Sequence, residues 1–232
     1  MSRHLIVGVG EVGTAIARVF LKKDVQLKDV MDGPISLPID FMHVCIPYND
    51  KFVGIVKAYK EQYKPRHTII YSSVPIGTTN KLGEDVCHSP VEGVHPHLAA
   101  SMKKFKRWIG GNSPRTNQAV AKLWGEYIRC EILPDARFTE ALKLLSTTEY
   151  GVNIEFARYK KKVADSIGMD YELTKSWNSD YNSLYRRLRL TKYRKFQLDA
   201  PEGPIGGHCV VSNAQLLNEQ YPDKLIKIVR GL

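Results

Sequence analysis

Two short motifs near opposite ends of this 232-residue chain contain residues that could do chemistry. The first is Gly8-Val9-Gly10-Glu11-Val12-Gly13, whose glycine spacing is typical of a turn that holds the pyrophosphate of a dinucleotide. The second is Gly206-Gly207-His208-Cys209, which predicts a loop of small residues presenting a cysteine thiol as a nucleophile. Together they predict hydride transfer to a nicotinamide dinucleotide, with the thiol holding a carbonyl while the hydride leaves.

The three glycines of the first motif have separate physical roles. The first allows a tight turn, the second lets the pyrophosphate approach the backbone, and the third lets the next helix pack closely on the strand. The positive end of that helix stabilises the anion. An acidic residue ending the second strand would bind the ribose hydroxyls and favour NAD over NADP; Asp29 is the first choice and Asp32 the alternative. The predicted loop contacts of NAD are Gly8, Gly10, Glu11, Val12 and Gly13.

Alternating strands and helices are predicted to position the first motif. The predicted strands are Leu5–Val9, Val25–Val30, Phe41–Ile46, Thr68–Tyr71, Val86–Ser89, Trp108–Gly110 and Glu131–Leu133, and the predicted helices are Val12–Lys23, Lys51–Gln62 and Asn117–Tyr127. The first strand is apolar throughout, as in a parallel strand buried on both faces. The alternation predicts an α/β fold with an N-terminal Rossmann-type, doubly wound parallel sheet.

After Pro134 the apolar pattern changes to that of helices. Apolar residues between Phe138 and Ile167 recur at three- and four-residue spacings, which predicts one long helix despite Gly151 within it. Further helical segments are predicted over 171–194 and 214–220, with a loop at 203–207. We therefore expect a dinucleotide-binding domain at 1–136 and a smaller all-helical domain, with a long central helix, at 137–232.

Five segments, in the same order along the chain, resemble the UDP-glucose/GDP-mannose dehydrogenase family. They are the glycine turn 7–13, Ser72-Ser73-Val74-Pro75-Ile76-Gly77-Thr78-Thr79, Ser89-Pro90-Val91-Glu92 followed by Gly110-Gly111, Glu140-Ala141-Leu142-Lys143, and Gly206-Gly207-His208-Cys209. Five ordered segments are more specific than any one motif. The resemblance stops soon after the cysteine, so we expect the family's C-terminal nucleotide-sugar-binding domain to be missing from this chain.

The resemblance implies an enzyme that oxidises C6 of a nucleotide sugar twice, using two NAD per turnover. The cysteine captures the aldehyde as a thiohemiacetal, and a second hydride transfer gives a thioester that water cleaves. On this resemblance Cys209 is the nucleophile, Lys143 stabilises oxyanions, and Ser73 lies near the nicotinamide and a bound water. The resemblance also places Pro47 and Val74 against the cofactor, and it implies a homodimer formed through the long helix.

The carboxylate that would activate water is displaced in this chain. Val91 occupies the position of the glutamate in the family's Ser-Pro-Glu segment, and Glu92 follows one position later. Glu92 is therefore the candidate carboxylate, and thioester hydrolysis is in question. His95 and His97 are alternative acid–base groups near neutral pH, although a loop histidine is more often a structural hydrogen-bonding residue.

Two further positions differ from the family. The asparagine that follows the helix lysine is Thr147, which we retain as a candidate catalytic residue, and the lysine and aspartate after the cysteine are Ser212 and Asn213. We therefore expect an altered substrate and a single oxidation as an alternative to two. The second hypothesis is a catalytically impaired NAD-binding protein with a regulatory or scaffolding role.

The composition narrows the class of protein. Hydrophobic residues make up 43% of the chain and charged residues 25%, as in ordinary soluble globular proteins. No apolar run reaches the roughly 18–20 residues that span a bilayer. The four cysteines lack the CxxC spacing of a zinc ribbon or redox pair. We therefore expect a cytoplasmic protein with no membrane contact and no bound metal.

The net charge of +10 has two interpretations. Basic runs at 103–107, 158–162 and 186–195 are typical of solvated helix faces, and they also suit an anionic small-molecule substrate. Nucleic-acid binding is the least favoured interpretation, because the basic runs lie on different elements and no nucleic-acid-reading motif is present.

Overall fold

The computed structural model describes residues 2–29, 33–205 and 208–230 of the chain. The chain divides into two compact units, Met1–Lys143 and Leu144–Leu232. This division falls inside the long helix, whereas the sequence predicts a domain boundary at the start of that helix, after residue 136. The domain boundary stays a prediction, because a compact unit need not be a folding domain.

The first unit is built on a seven-stranded sheet. Its strands are β1 (Arg3–Val7), β2 (Asp24–Lys28), β3 (Phe41–Val44), β4 (His67–Ile70), β5 (Val86–His88), β6 (Arg107–Gly111) and β7 (Cys130–Leu133), in the order β2-β1-β3-β4-β5-β6-β7. Neighbouring strands are parallel except β5 and β6, which pair antiparallel. The predicted Rossmann-type class is confirmed. Because β2 and β3 flank β1 on opposite sides, the carboxyl end of β1 is where such sheets bind ligands.

The helices of the first unit connect these strands. They are α1 (Glu11–Val19), α2 (Phe52–Tyr63), α3 (Leu98–Ser101) and α4 (Pro114–Gly125). The sequence did not predict α3, and it extended the first two strands too far. β1 ends at Val7 because Gly8 adopts a φ of +89° and turns the chain away.

Both faces of the sheet are buried. Leu5 and Val7 of β1 lie in one apolar cluster, which includes Met42 and Phe52, and Ile6 lies in the other. Alternate side chains of a strand point to opposite faces, so a strand covered on both sides reads as one continuous apolar run.

A chain of polar side chains crosses the cluster that contains Ile6. Trp124 Nε1 donates to the Tyr71 hydroxyl over 3.0 Å, and that hydroxyl lies 3.1 Å from His43 Nδ1. His43 Nε2 lies 2.9 Å from His4 Nδ1, and the far nitrogen of His4 lies 2.9 Å from Ser2 Oγ. The indole nitrogen only donates, so every group in the chain has a partner when Tyr71 donates to His43 Nδ1 and His43 Nε2 donates to His4. In this assignment of the protons both imidazoles are neutral.

The second unit contains the C-terminal part of α5 (Ala136–Ser166), α6 (Glu172–Arg187), α7 (His208–Gln220) and α8 (Lys224–Lys227). The predicted helix 171–194 is too long, since α6 ends at Arg187 and Arg189 adopts a left-handed φ of +58°. The predicted helix 214–220 is too short. Cys209, expected in a loop, lies in the first turn of α7, where Val210, Asn213 and Ala214 are buried on one stripe.

Two further points complete the comparison with the sequence. Gly206 and Gly207 of the predicted loop lie outside the described residues. None of the helices in the described ranges is long and apolar enough to cross a membrane.

Gly151, in the middle of α5, is required by close packing. A Cβ there would lie 2.7 Å from Val210 Cγ1 and 2.5 Å from Val229 Cγ1. We expect Gly151→Ala to lower the free energy of unfolding by about 1–3 kcal/mol, because overpacking outweighs the better helix propensity of alanine. Gly54→Ala in α2 is the matched control, since that glycine is exposed and a Cβ would meet nothing within 4 Å.

We expect the control to raise the free energy of unfolding by about 0.5–1 kcal/mol, the usual helix preference for alanine over glycine. Urea unfolding of both variants measures the difference. Equal effects of the two substitutions would contradict the packing argument.

Candidate active site

The glycine-rich turn after β1 is shaped by tight packing. The N–H of Gly8 donates to Lys28 O over 2.8 Å, and a Cβ on Gly8 would lie 2.9 Å from Cys45 O. A Cβ on Gly13 would lie 1.9 Å from Gly8 O. Both glycines are therefore required by the protein's own backbone. Val12 between them packs against the apolar cluster of Ile6.

Gly10 is different, because the protein leaves space beside it. It is the N-cap residue of α1 and has an extended backbone with no side-chain capping bond. A Cβ on Gly10 would meet no atom within 4 Å. The packing of the protein itself therefore does not require a glycine here, although glycine is a favoured N-cap residue, and the N–H groups of a helix start favour an anion. This arrangement fits the pyrophosphate of NAD.

Asp29 borders the turn at the end of β2. Its carboxylate accepts a hydrogen bond from the N–H of Val9 over 3.3 Å. That position agrees with a ribose ligand, which must lie beside the glycine turn. The alternative, Asp32, lies outside the described residues.

Glu11 and His95 contact each other at the start of α1. Glu11 is the first residue of the helix, and its carboxylate contacts Nδ1 of His95. His95, one of the two alternative acid–base groups, therefore lies beside the nucleotide turn. His97, the other, is the exposed N-cap residue of α3.

The segment 72–79 leaves β4 at the same edge of the sheet. Ser72 Oγ donates to Ile46 O over 2.5 Å, which joins this segment to the loop that carries the exposed Pro47. Ser73 is half-buried and Val74 is buried. Pro47 thus follows β3, which is next to β1 in the sheet, and Ser73 and Val74 follow β4, which is next to β3.

Glu140 of α5 holds the far end of this segment. Its carboxylate accepts hydrogen bonds from the backbone N–H groups of Gly77, over 2.5 Å, and Thr79, over 2.8 Å. The side chain is fully buried. Burial raises the pKa of the Glu140 carboxyl, and the hydrogen bonds to residues 77 and 79 oppose that rise.

His88, at the end of β5, links the helix to the start of the segment. Its Nε2 lies 3.2 Å from Ser72 O and its Nδ1 lies 2.8 Å from Thr139 Oγ1. A carbonyl only accepts, so Nε2 carries the proton and Thr139 donates to Nδ1. Burial lowers the pKa of His88 to about 3, and the charge of Lys143 contributes to the lowering. His88 is therefore a neutral, structural hydrogen-bonding residue rather than an acid–base group.

Two cations hold the loop that carries Glu92. Lys143 Nζ donates to Val91 O over 2.9 Å, and Arg107 Nη1 donates to Pro90 O over 3.0 Å. Arg107 is buried, with its guanidinium stacked on the ring of Trp124. Glu92 itself is exposed. The ammonium predicted to stabilise oxyanions thus lies next to the loop of the candidate carboxylate.

In the second unit, two positions that depart from the family pattern contact each other. Asn213 Nδ2 donates to Thr147 Oγ1 over 2.9 Å, and Thr147 Oγ1 donates to Leu144 O over 3.2 Å. Asn213 is buried. This pair joins α7 to α5. The exposed Cys209 lies one turn earlier in α7, where its carbonyl accepts from Ser212 Oγ over 3.4 Å.

Adjacent strand ends of the first unit therefore bring together most of the predicted residues. They are Gly8, Gly10, Glu11, Val12, Gly13, Asp29, Pro47, Ser73 and Val74. Glu92 lies in the loop that follows β5, and Lys143 of α5 contacts that loop. Cys209 and Thr147 belong to the second unit. The sequence analysis missed the roles of His88, Arg107 and Thr139. The sequence placed Glu140 in the same segment as Lys143 but predicted no role for it. The two residues are three positions apart on one helix, a spacing that places both on one face.

The chain is similar to nucleotide-sugar dehydrogenases. An NDP-N-acetyl-D-galactosaminuronic acid dehydrogenase of Ralstonia solanacearum is 28% identical over 94% of this chain and 55% of its own length. A UDP-N-acetyl-D-mannosamine dehydrogenase of Methanocaldococcus jannaschii is 26% identical over 81% of this chain and 43% of its own length. These matches confirm the resemblance found in the sequence. The chain spans about half the length of these curated relatives, and no protein-family model matches it.

Solved structures share the fold. A UDP-D-ManNAc dehydrogenase from Pyrococcus horikoshii superposes with a TM-score of 0.81 at 19% identity, covering 99% of this chain and 67% of that one. A 3-hydroxyisobutyrate dehydrogenase of Mycobacterium tuberculosis superposes with a TM-score of 0.71 at 12% identity, covering 100% of this chain and 92% of that one. At these identities the likeness establishes the fold alone.

Proposed function

We propose that this protein is an NAD-dependent dehydrogenase that oxidises the primary alcohol of a nucleotide sugar. The observation that carries the proposal is the open space at Gly10, beside two glycines that the backbone itself requires. This turn suits a dinucleotide pyrophosphate, and the similar proteins are named as dehydrogenases of nucleotide sugars. A soluble, cytoplasmic enzyme with an anionic substrate is in keeping with the net charge of +10.

The residues of the first unit have separate roles in this proposal. The glycine turn and α1 bind the pyrophosphate, and Asp29 binds the adenosine ribose, which favours NAD over NADP. NAD held by these residues would supply the acceptor for the hydride of the substrate alcohol. Ser73 and Val74 contact the nicotinamide side of the cofactor. Lys143 stabilises the alkoxide from which the hydride leaves, since a fixed cation acts most strongly where charge develops.

Cys209 is the proposed nucleophile of a second oxidation step. Its thiolate would add to the aldehyde carbon, and the former carbonyl oxygen would take up a proton to give a thiohemiacetal. Loss of that proton to solvent and of a second hydride, for which NAD would be the acceptor, would leave a thioester. Glu92 is the proposed base that activates water for cleavage of the thioester. Both assignments rest on the resemblance, together with the exposure of Cys209 and Glu92 in their own units.

A specific observation favours the alternative of an impaired, NAD-binding regulatory or scaffolding protein. Thr147 and Asn213 replace two polar catalytic positions of the family, and they hydrogen-bond to each other. This bond occupies one N–H of Asn213 and a lone pair of the Thr147 hydroxyl, so these groups bind substrate or water less readily than they would without it. On this alternative NAD binds, but the cysteine does no chemistry.

The two alternatives differ in the effect of Cys209→Ser. The purified chain is mixed with NAD and a panel of nucleotide sugars that includes UDP-N-acetyl-D-mannosamine, and NADH formation is followed by absorbance. For an enzyme with a covalent step, we expect Cys209→Ser to lower the rate of acid formation by about 100-fold or more, with the acid measured by chromatography because the first oxidation also yields NADH. The half-buried Cys130→Ser is the matched control and should retain activity.

Binding of NADH without turnover of any sugar would favour the scaffolding alternative. Equal rates in the wild-type protein and Cys209→Ser would remove the nucleophile from the proposal. Absence of NADH binding would remove the cofactor assignment itself.

We also propose a homodimer formed through α5. Large apolar side chains along this helix are at least 40% exposed: Phe138, Leu142, Leu145, Phe156, Tyr159 and Val163. They lie on one face of the helix in two groups, 138–145 and 156–163, with three- and four-residue spacings inside each group, and monomeric proteins rarely expose large apolar patches. Sedimentation equilibrium should give twice the chain mass of 26.3 kDa. Leu145→Glu, which places a charge in the stripe, should give the monomer mass, and a wild-type monomer would contradict the proposal.

A further inference from the structure

The first turns of α5 hold the two loops that the proposed function assigns to cofactor and substrate. Thr139 donates to His88, which in turn donates to Ser72 O, at the start of segment 72–79. Glu140 accepts from the backbone of Gly77 and Thr79, at the end of that segment. Lys143, one turn later, donates to Val91 O in the loop after β5. One rigid helix thus sets the spacing of both loops.

The contacts of Glu140 with the segment are the most unusual of these. Its side chain is fully buried, and among the described residues no ion pair to a cation is formed by it. A buried carboxylate is costly unless hydrogen bonds replace its hydration. Here two backbone N–H groups of one loop supply that replacement, as charge-assisted bonds of fixed geometry. An apolar side chain could fill this space, but it would accept no hydrogen bond from Gly77 or Thr79. The carboxylate therefore indicates that contacts with α5 fix the position of the loop.

The loop that is hydrogen-bonded to Glu140 is a compact turn. Gly77 has a left-handed φ of +92°, and both the N–H and the hydroxyl of Thr78 donate to Pro75 O. Ser73 and Val74 directly precede this turn. A shift of the N–H groups of residues 77 and 79 would therefore move the residues that are assigned to the nicotinamide.

We propose that Glu140 is a positioning residue, which fixes segment 72–79 and so sets Ser73 and Val74 at a defined spacing from Lys143. This inference rests on the proposed function for the roles of Ser73, Val74 and Lys143. Glu140 acts through the loop and does not itself contact the reacting atoms. Gly110 supports the arrangement, because a Cβ there would lie 2.7 Å from Asp135 O and 2.8 Å from Thr139 Oγ1 and would push the start of α5 away.

The test uses Glu140→Gln, which keeps the size of the side chain. A glutamine has one acceptor oxygen and one NH₂ donor, so it satisfies only one of the two N–H groups that the carboxylate binds. Glu149→Gln is the matched control, since Glu149 is exposed on the same helix. Amide hydrogen exchange of residues 77 and 79 is measured by NMR in the free proteins, and the dissociation constant of NADH is measured by fluorescence.

In Glu140→Gln we expect exchange at one of the two amides to accelerate by about tenfold or more, as for a lost hydrogen bond to a charged group. We expect NADH to bind about tenfold more weakly, with the control unchanged in both measurements. Unchanged exchange at both amides, or exchange accelerated equally over the whole first unit, overturns the assignment. Unchanged NADH affinity with accelerated exchange overturns the positioning role.

The test separates this inference from the proposed function. If wild-type protein binds no NADH, the proposed function fails, while the exchange at residues 77 and 79 still decides whether Glu140 fixes the loop. If Glu140→Gln does not fold alone, the same comparison is made in the Gly54→Ala background, where the exposed helix position adds stability.

Discussion

Replacing Gly10 with alanine is expected to remove most of the affinity for NADH while lowering the free energy of unfolding of the free protein by no more than about 1 kcal/mol, the usual cost of alanine at a helix N-cap. The backbone of Gly10 is extended, a conformation that alanine adopts freely, and a Cβ there touches no protein atom. The added methyl group would instead occupy the space where the pyrophosphate approaches the start of α1. We expect a loss of affinity of tenfold or more, about 1.4 kcal/mol or above. Thermal unfolding with and without NADH measures it, since a ligand bound only to the native state raises the midpoint.

Gly13→Ala is the control that gives the opposite pattern. Its Cβ would lie 1.9 Å from Gly8 O, so the free protein itself should be destabilised by about 1–3 kcal/mol or more, as in overpacked cores. A Gly10→Ala variant that binds NADH as tightly as the wild type would remove the pyrophosphate from this turn. A Gly10→Ala variant that is as unstable as Gly13→Ala would show that the protein, and not a ligand, requires the glycine.

The free energy of unfolding is expected to fall as the pH is lowered from about 6.5 to 4, before most carboxylates are protonated. His4 and His43 are held neutral in the core, and burial lowers the pKa of His4 from 6.5 to about 4 and that of His43 well below its ordinary value. The charge of Lys23 adds to the lowering at His4, and Asp24 and Asp40 oppose it. Below pH 6.5 the unfolded chain binds protons that the folded protein excludes, so stability is lost as the pH falls.

The expected fall in the free energy of unfolding is large for an effect of two side chains. His4 alone contributes about 3 kcal/mol between these pH values, from about 1.4 kcal/mol for each unit of pKa change. Burial lowers the pKa of His88 to about 3. His88 therefore adds a further loss of stability, and this loss extends to more acidic pH values than that of His4. Urea unfolding at pH 7.5, 6, 5 and 4.5 measures the slope.

His4→Gln tests the origin of the slope. Its amide can accept from His43 and donate to Ser2, as the imidazole does, but it does not titrate. The variant should therefore show a smaller slope than the wild type. The exposed His97→Gln should leave the slope unchanged. A constant free energy of unfolding between pH 6.5 and 5 would contradict the neutral, buried state of these histidines.

The NADH prediction and the histidine prediction were accessible from the sequence to different degrees. The roles of Gly8, Gly10 and Gly13 follow from their spacing after an apolar strand, and the structure adds which of them the backbone requires. Nothing in the sequence distinguishes His4 and His43 from other histidines. They meet because β1 and β3 are neighbours in the sheet, although β2 lies between them along the chain.

The sequence by itself determined the features that depend on residues close together in the chain. Continuous apolar runs indicated strands buried on both faces, and the spacing of apolar residues indicated the long α5. It misjudged the start of α7, because the stripe of Val210, Asn213 and Ala214 includes a buried asparagine that reads as polar. The prediction of a parallel sheet was also wrong for β6 and β7, which run opposite to the other five strands, since strand direction depends on how a connection crosses the sheet.

Only the tertiary structure decided which distant residues meet. Thr147 and Asn213 are 66 residues apart, and Glu140 and Gly77 are 63 apart, yet each pair is joined by a hydrogen bond. Local propensity acts through neighbours in the chain, whereas a buried polar group takes its partner from whatever the packed fold places within about 3 Å of it. The residues that make up the motifs could therefore be identified from the sequence, but the contacts that hold them in position required the fold.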